Sequence, residues 1–262
     1  MRAIKLVWLV AIVLISSLLY ADVKADYESL SLTDLTYKAN YGDAKAQNVL
    51  GIKYGSGDGV LQDYSEALKW FQLSADQGFT GAFFNVGLLY YCGNGVAQDY
   101  KTAGKWFLKA AEQGEPYAQC NLGIMYYYGQ GFAQNYHEAV TWYRLSADQG
   151  NADAQVNLSK MYYVGEGVLQ HYEEAARLSR LAAEQGDSTA QCNLALMYSK
   201  GQGVEQNDEQ AYFWYLLACT DDKSDTYDFA VKNRDIAVKK LTDTQIAKAQ
   251  NEALAWKRSD NQ

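Results

Sequence analysis

Apolar and small residues recur along this chain at helical spacing, and the same pattern returns every 36 residues. Ala46, Leu50 and Tyr54 lie at positions i, i+4 and i+8, which places them on one stripe of a helix. The stripe is copied at Ala82/Val86/Tyr90, Ala118/Leu122/Tyr126, Ala154/Leu158/Tyr162 and Ala190/Leu194/Tyr198. A second segment alternates a small residue with a large one, as interdigitated helix packing requires. Its pairs are Ala67/Trp70, Ala103/Trp106, Ala139/Trp142, Ala175/Leu178 and Ala211/Trp214.

A Gly-x-Gly turn separates the two segments in every copy. Its first glycine can adopt the left-handed conformation that ends a helix without a side-chain clash. The next segment then begins at a residue of the kind that caps helix N-termini, with a residue three positions later at the spacing of a capping box. These N-caps are Asp63, Asp99, Asn135, His171 and Asn207. Each copy is therefore predicted to be helix, turn, helix.

The predicted units are bounded by glycines that lie 36 residues apart, from Gly42 to Gly186. They cover 43–78, 79–114, 115–150, 151–186 and 187–222. Residues 26–42 are predicted to be an N-terminal helical cap, and residues 223–262 to be C-terminal capping helices that include a capping box at Thr242 and Gln245. Self-similarity with a period of this length is typical of a solenoid, whose terminal units carry a polar outer face.

The period, the paired glycines and a closing Ala-x-Gln-Gly resemble Sel1-like repeats, which are relatives of the tetratricopeptide repeat. The closing motif stands at Ala75 to Gly78 and returns in the next three units. The resemblance covers 43–222 without a gap and departs from the pattern at Ser159, Leu178 and Asp208. It implies an all-α fold, a right-handed α-solenoid (α/α superhelix). Such a fold has a concave face that binds proteins or peptides, as a scaffold or adaptor.

The N-terminus has the features of a secretory signal peptide, predicted to cover 1–25. Arg2 and Lys5 precede an apolar run from Leu6 to Leu19, and cleavage after Ala21 or after Ala25 both fit the sequence. The run is shorter than the ~20 residues of a membrane span. We therefore expect a secreted protein, in the bacterial periplasm, with no stable membrane insertion after cleavage.

The net charge weighs against nucleic acid as a partner. The formal charge is -8, and cleavage after Ala25 would make it more negative. The basic clusters that neutralise phosphates are missing from the sequence. A protein or peptide partner is expected instead, with the chain itself a monomer.

Residues for catalysis or metal binding are sparse. A histidine-assisted nucleophile needs a positioned histidine, and the two histidines, His137 and His171, are interpreted as surface residues near helix starts. There is no Ser-x-x-Lys, Cys-x-x-Cys or His-x-x-x-His. The sequence therefore predicts a non-enzymatic protein without cofactor or metal. The alternatives are a cell-wall hydrolase or a β-lactamase-like, penicillin-binding enzyme whose site has no visible motif, and a regulatory subunit of a membrane protein.

The cysteines offer one candidate disulfide, between Cys192 and Cys219. Cys192 lies near the start of a first helix and Cys219 near the end of the following antiparallel helix, and a secreted protein can keep such a bond. The alternative is a buried thiol, because position 219 is alanine in the other units.

The candidate binding surface is a stripe along the first helix of each unit. Asparagine recurs once per unit, and residues four and seven positions later share its side of the helix. Asparagine can hold the amides of a partner's backbone, while methionine and tyrosine supply apolar contact. The alternative is that the methionines pack between units and that the asparagines bond a neighbouring turn. The candidate residues are Asn85, Leu89, Asn121, Met125, Tyr128, Asn157, Met161, Asn193, Met197 and Lys200.

Overall fold

The computed structural model describes Tyr27 and residues 30–256. The predicted signal peptide lies outside the described residues. Within them there are thirteen α-helices and a 3₁₀ turn (Val238–Lys240), and no strand. The helices are α1 Leu32–Asn40, α2 Ala44–Ser56, α3 Tyr64–Asp76, α4 Thr80–Cys92, α5 Tyr100–Glu112, α6 Pro116–Tyr128, α7 Tyr136–Asp148, α8 Ala152–Val164, α9 Tyr172–Glu184, α10 Ser188–Lys200, α11 Asp208–Ala218, α12 Tyr227–Ala237 and α13 Asp243–Ala255.

The chain is an all-α solenoid that divides into two compact units, Met1–Gln134 and Asn135–Gln262. In the first, α1 packs on α2, and each helix from α2 to α5 packs on the next. In the second, each helix from α7 to α11 packs on the next, and α13 packs on α11. We call α2, α4, α6, α8 and α10 the first-position helices, and α3, α5, α7, α9 and α11 the second-position helices.

The predicted apolar stripes form the core. The alanines that begin the first-position stripe and the alanines of the second-position helices are all fully buried, and Leu50, Leu122 and Leu194 are buried beside them. Small side chains at these positions let neighbouring helices approach closely, so that the larger residues fill the space between them. The helical periodicity read from the sequence is therefore confirmed.

The turns end the first-position helices as predicted. Their C-cap glycines have φ between 66° and 80°. The glutamine of each turn also contributes, because its side-chain amide donates to a carbonyl in the last turn of the helix, as Gln98 does to Tyr91 at 2.8 Å. Each predicted N-cap accepts backbone N–H groups of the next helix. The return bond of a capping box is present in the described residues only at Thr242 and Gln245.

The second glycine of the turn has a separate role, because it lets the turn lie close to the start of the preceding second-position helix. A Cβ atom on Gly95 would lie 2.6 Å from the backbone carbon of Tyr64, at the start of the preceding second-position helix. Gly131, Gly167 and Gly203 meet Tyr100, Tyr136 and Tyr172 in the same way. No second-position helix precedes Gly59, and a Cβ there would meet nothing within 4 Å. The glycine is therefore needed where one helix pair stacks on another.

The same contact explains why tyrosine is lost at position 208. No Gly-x-Gly turn follows α11, so a tyrosine there would have no glycine to contact. Asp208 instead accepts a hydrogen bond from Lys240 at 2.8 Å, and the neighbouring Glu209 accepts one from Lys248 at 2.6 Å. The departure from the repeat pattern ties the C-terminal helices to the last helix pair.

A second departure, Ser159, is matched by a change in the facing helix. In two other pairs a glycine faces a phenylalanine ring, and a Cβ would lie 2.6 Å from the Phe71 ring at Gly51 and 2.7 Å from the Phe107 ring at Gly87. In the α8–α9 pair the facing residue is Ser179, and the Oγ atoms of Ser159 and Ser179 lie 2.7 Å apart. In this pair, two buried hydroxyl groups thus replace the contact between a phenylalanine ring and a glycine.

Candidate protein-binding surface

In the first unit, the predicted stripe is part core and part surface. Asn85 is half-buried and Tyr128 is 62% exposed. Leu89, Asn121 and Met125 are buried, Met125 completely. A buried side chain cannot contact a partner while the helices stay packed, so this unit offers Asn85 and Tyr128.

The second unit shows the same division. Met161 and Met197 are buried, at 1% and 3% exposure. Asn157 and Asn193 are half-buried, and Lys200 is exposed. The methionines therefore pack between helices, which was the alternative interpretation of this column. The helical repeat gives the direction of a side chain and leaves open what the next helix places over it.

The asparagines bond locally. Asn121 and Asn157 each donate from Nδ2 to a carbonyl one turn earlier, Tyr117 at 2.8 Å and Asp153 at 2.9 Å. Asn85 donates to Oδ1 of Asn48 at 2.9 Å, which links α4 to α2. Asn193 has no hydrogen-bond partner within the described part of the chain. Its amide is the member of the column that the fold leaves available.

The glutamines of the closing Ala-x-Gln-Gly form hydrogen bonds with glutamines of the first-position helices. Gln77 donates to Oε1 of Gln47 at 2.7 Å, and Gln47 donates to the carbonyl of Ala39 at 3.0 Å. Gln185, Gln155 and Ala147 form the same chain of bonds in the second unit. These bonds tie three successive helices together, so the closing Ala-x-Gln-Gly is a packing motif.

The other residues considered for chemistry lie apart. His171 caps α9 by accepting the backbone N–H of Glu174 at 3.1 Å, and His137 is exposed at the start of α7, so both are surface residues as interpreted. Cys192 and Cys219 carry free thiols in the same core cluster, and no bond joins them. Burial raises the pKa of Cys192 to about 12. The described residues contain no cluster of His, Cys, Asp and Glu that could hold a metal.

A small open cavity of about 80 Å³ lies between α8 and α10. It is lined by Ser159, Lys160, Tyr163, Asn193, Leu196 and Met197. The sequence analysis singled out Asn193 and Met197 and missed Lys160. The signal was present, because Ile52, Leu88, Ile124 and Leu196 occupy the position of Lys160 in the other first-position helices.

A larger open cavity of about 480 Å³ lies where α9, α11 and α13 meet. Phe213, Trp214 and Trp256 form its aromatic wall, with ring centroids between 5.1 and 5.7 Å apart. Phe213 and Trp214 are themselves buried. The aromatic cluster mainly docks the C-terminal helix on the last helix pair.

The helix pairs coincide with the segments matched by the Sel1 repeat family model. The matched residues are 44–79, 82–115, 116–151, 152–187 and 188–222. The chain belongs to the Sel1 repeat family. Sel1 repeats typically mediate protein interactions, and solenoids of these repeats are generally non-enzymatic scaffolds. Membership therefore suggests a protein-interaction scaffold.

Two solved structures are similar in both fold and sequence. One is a protective antigen present in uropathogenic Escherichia coli strains, which displays an SLR fold, with a TM-score of 0.70 and 42% identity over 73% of this Sel1 chain and 41% of that one. The other is a Sel1 repeat protein from Oxalobacter formigenes, with a TM-score of 0.67 and 34% identity over 74% of this chain and 75% of that one. This chain therefore spans less than half of the Escherichia coli antigen. Among curated proteins, none matches. In the described part of this chain, no helix has both the length and the apolar character that crossing a membrane requires.

Proposed function

We propose that this protein is a secreted, periplasmic scaffold or adaptor that binds a protein or peptide along the exposed part of its first-position helices. The observation that carries the proposal is a difference between the recurrent positions and the exposed positions of the repeat. The recurrent glycines, glutamines and small residues serve the turns, the helix caps and the packing, whereas the exposed positions of the first-position helices differ from one repeat to the next. Position 128 is tyrosine, for example, and its counterparts are Ser56, Cys92, Val164 and Lys200.

The composition of these positions supports a polar interface with apolar anchors. Tyr128 provides a large exposed ring with a hydroxyl, and tyrosine is enriched among residues that dominate binding energy. Asn193 adds an amide group that can serve an extended backbone. Secretion is supported by the sequence features of residues 1–25. Fractionation of cells that express the chain with and without those residues would test it, and retention of both forms in the cytoplasm would contradict it.

Direct peptide binding tests the surface. A displayed library of random peptides is selected on the purified chain, and the dissociation constant of each selected peptide is measured for variants. The double variant Tyr128→Ala/Lys200→Ala should weaken at least one selected peptide about tenfold, the loss of a typical 1.4 kcal/mol contact.

The matched control lies on the other helices. Leu73 and Leu145 are 47% and 45% exposed on α3 and α7, and Leu73→Ala/Leu145→Ala should leave the dissociation constants unchanged. If the control weakens binding and the first variant does not, the surface lies on the second-position helices. If no peptide is selected, the proposal of peptide binding fails.

A further inference from the structure

A single cation interrupts an otherwise apolar column. Lys160 is exposed on α8, at the position that isoleucine or leucine fills in the other first-position helices. An isoleucine there would continue the apolar column. Because Lys160 is the charged residue in a column of isoleucine and leucine, the residues around it indicate which group of a partner it can bind.

The surroundings are those of a small anion site. Lys160 is the one charged residue that lines the cavity between α8 and α10, and Asn193 lies in the same lining. The Asn193 amide has no hydrogen-bond partner among the described residues, so its N–H groups are available. A lysine ammonium has three donors, so it can serve an anion in addition to a neighbour. Both side chains thus line one space.

The size of the cavity selects the group that fits. A water molecule takes about 30 Å³ of liquid, and a cavity of about 150 Å³ holds a benzene ring. The space of about 80 Å³ therefore suits a group of a few heavy atoms. Leu196 and Met197 form an apolar part of the wall, which lowers the local dielectric constant and strengthens a charged hydrogen bond.

We propose that this cavity receives the side-chain carboxylate of an aspartate or glutamate from a protein or peptide partner, held by Lys160 and Asn193. The inference rests on the proposed binding function and names the chemistry of the partner at this point. The net charge of -8 would otherwise repel an acidic segment, so a local cation is needed for it to dock. Asp153 lies seven residues before Lys160 on α8, which is ~10 Å along the helix axis. This is about one Debye length at physiological salt, so screening weakens the repulsion between Asp153 and a bound carboxylate.

The test compares acidic peptides with their amides. Each peptide selected on the purified chain is synthesised again with every Glu changed to Gln and every Asp to Asn, one at a time. For the wild-type chain, at least one such change should weaken binding about tenfold, because hydrogen bonds to charged groups are worth more than neutral ones. The ratio should fall as salt is raised, since screening weakens charge pairs.

Two variants assign the effect to the cavity. Lys160→Ile places the residue of the equivalent positions 52 and 124 and should bind the acid and amide forms equally. Lys105→Ile removes the same charge from the exposed face of α5 and should keep the wild-type ratio. Unchanged helicity and melting temperature of Lys160→Ile show that the fold is intact.

The outcomes separate the two proposals. If wild-type protein binds peptides without preferring the acid form, or if Lys160→Ile keeps the preference, the carboxylate site is wrong and the binding function stands. If no peptide binds wild-type protein, both proposals are overturned.

Discussion

Replacement of Gly95 by alanine should destabilise the chain much more than the same replacement at Gly59. Both are the second glycine of a turn, both are exposed, and their φ values are 69° and 74°. The left-handed backbone therefore penalises alanine equally at the two positions. They differ in what the new methyl group meets, because Gly95 lies against Tyr64 and Ser65 whereas nothing lies near Gly59.

The size of the difference follows from that contact. A left-handed alanine costs about 1–2 kcal/mol, and this is the whole expected effect at Gly59. At Gly95 the methyl would lie 2.6 Å from the carbonyl carbon of Tyr64 and 2.7 Å from the nitrogen of Ser65. Backbone atoms cannot rotate away, so the helix pairs must separate, and overpacking of this kind costs about 1–3 kcal/mol more. The shift also strains the bond from Ser65 Oγ to the carbonyl of Gly95, now 3.2 Å.

Urea unfolding with tryptophan fluorescence measures the difference. We expect Gly95→Ala to lower the free energy of unfolding by ~2 kcal/mol more than Gly59→Ala does. If this free energy falls by about 2 kcal/mol per molar urea, the unfolding midpoint of Gly95→Ala lies about 1 M lower. Repeat arrays can unfold in parts, so hydrogen exchange in α3 to α5 should show whether the loss is local to the stacked turn. Equal midpoints for Gly59→Ala and Gly95→Ala would refute the role of the second glycine in stacking.

Two further predictions concern buried polar groups. Burial raises the pKa of Glu115 from 4.5 to about 7, against the opposing effect of two backbone N–H bonds. Folding therefore favours the protonated acid. The contribution of Glu115 to the stability of the fold is complete below pH 4.5 and is lost as the pH rises through 7. Glu115→Gln should therefore remove roughly 3 kcal/mol of the stability difference between pH 4.5 and pH 8, measured by urea unfolding with the exposed Glu112→Gln as control, and an unchanged pH slope would contradict this. In the α8–α9 pair, Ser179→Phe alone should be strongly destabilising because the ring meets Ser159, and adding Ser159→Gly should recover about 1–3 kcal/mol in a double-mutant cycle. Additive effects would show that the two positions are independent.

The local features of the repeat could be predicted from sequence because each depends on residues close together in the chain. The C-cap at Gly93 needs only the left-handed backbone, and the N-cap at Asp99 needs only the N–H groups that follow it. The reason for Gly95 was out of reach, since it depends on Tyr64, some thirty residues earlier, and on how two helix pairs stack. The same holds for Ser159, whose compensating partner Ser179 lies on the facing helix.

The candidate site was predicted less well than the fold. The helical spacing places Asn157 and Met161 on one side of α8, but the side of a stripe that a neighbour covers cannot be read from spacing. The methionines were therefore included in the candidate binding stripe, with packing between units as the alternative, and Met161 lies in the core. Lys160 was not predicted because the candidate stripe was inferred from residues that recur, and a residue that breaks a column does not recur.

That omission indicates where specificity lies in this protein. A position that recurs in every unit must serve the contact that every unit shares, which is stacking on its neighbours, and Gly95 and Gln77 are used in this way. A contact that a partner makes at one place along the array is made specific by residues that differ between the units. The α8–α9 pair carries several departures, Ser159, Lys160, Leu178 and Ser179, and three of these, Ser159, Leu178 and Ser179, are buried. Ser159 and Ser179 are explained by their contact within the pair. Lys160 is the exposed member of the four, and the carboxylate site proposed above would give this departure a role in binding a partner.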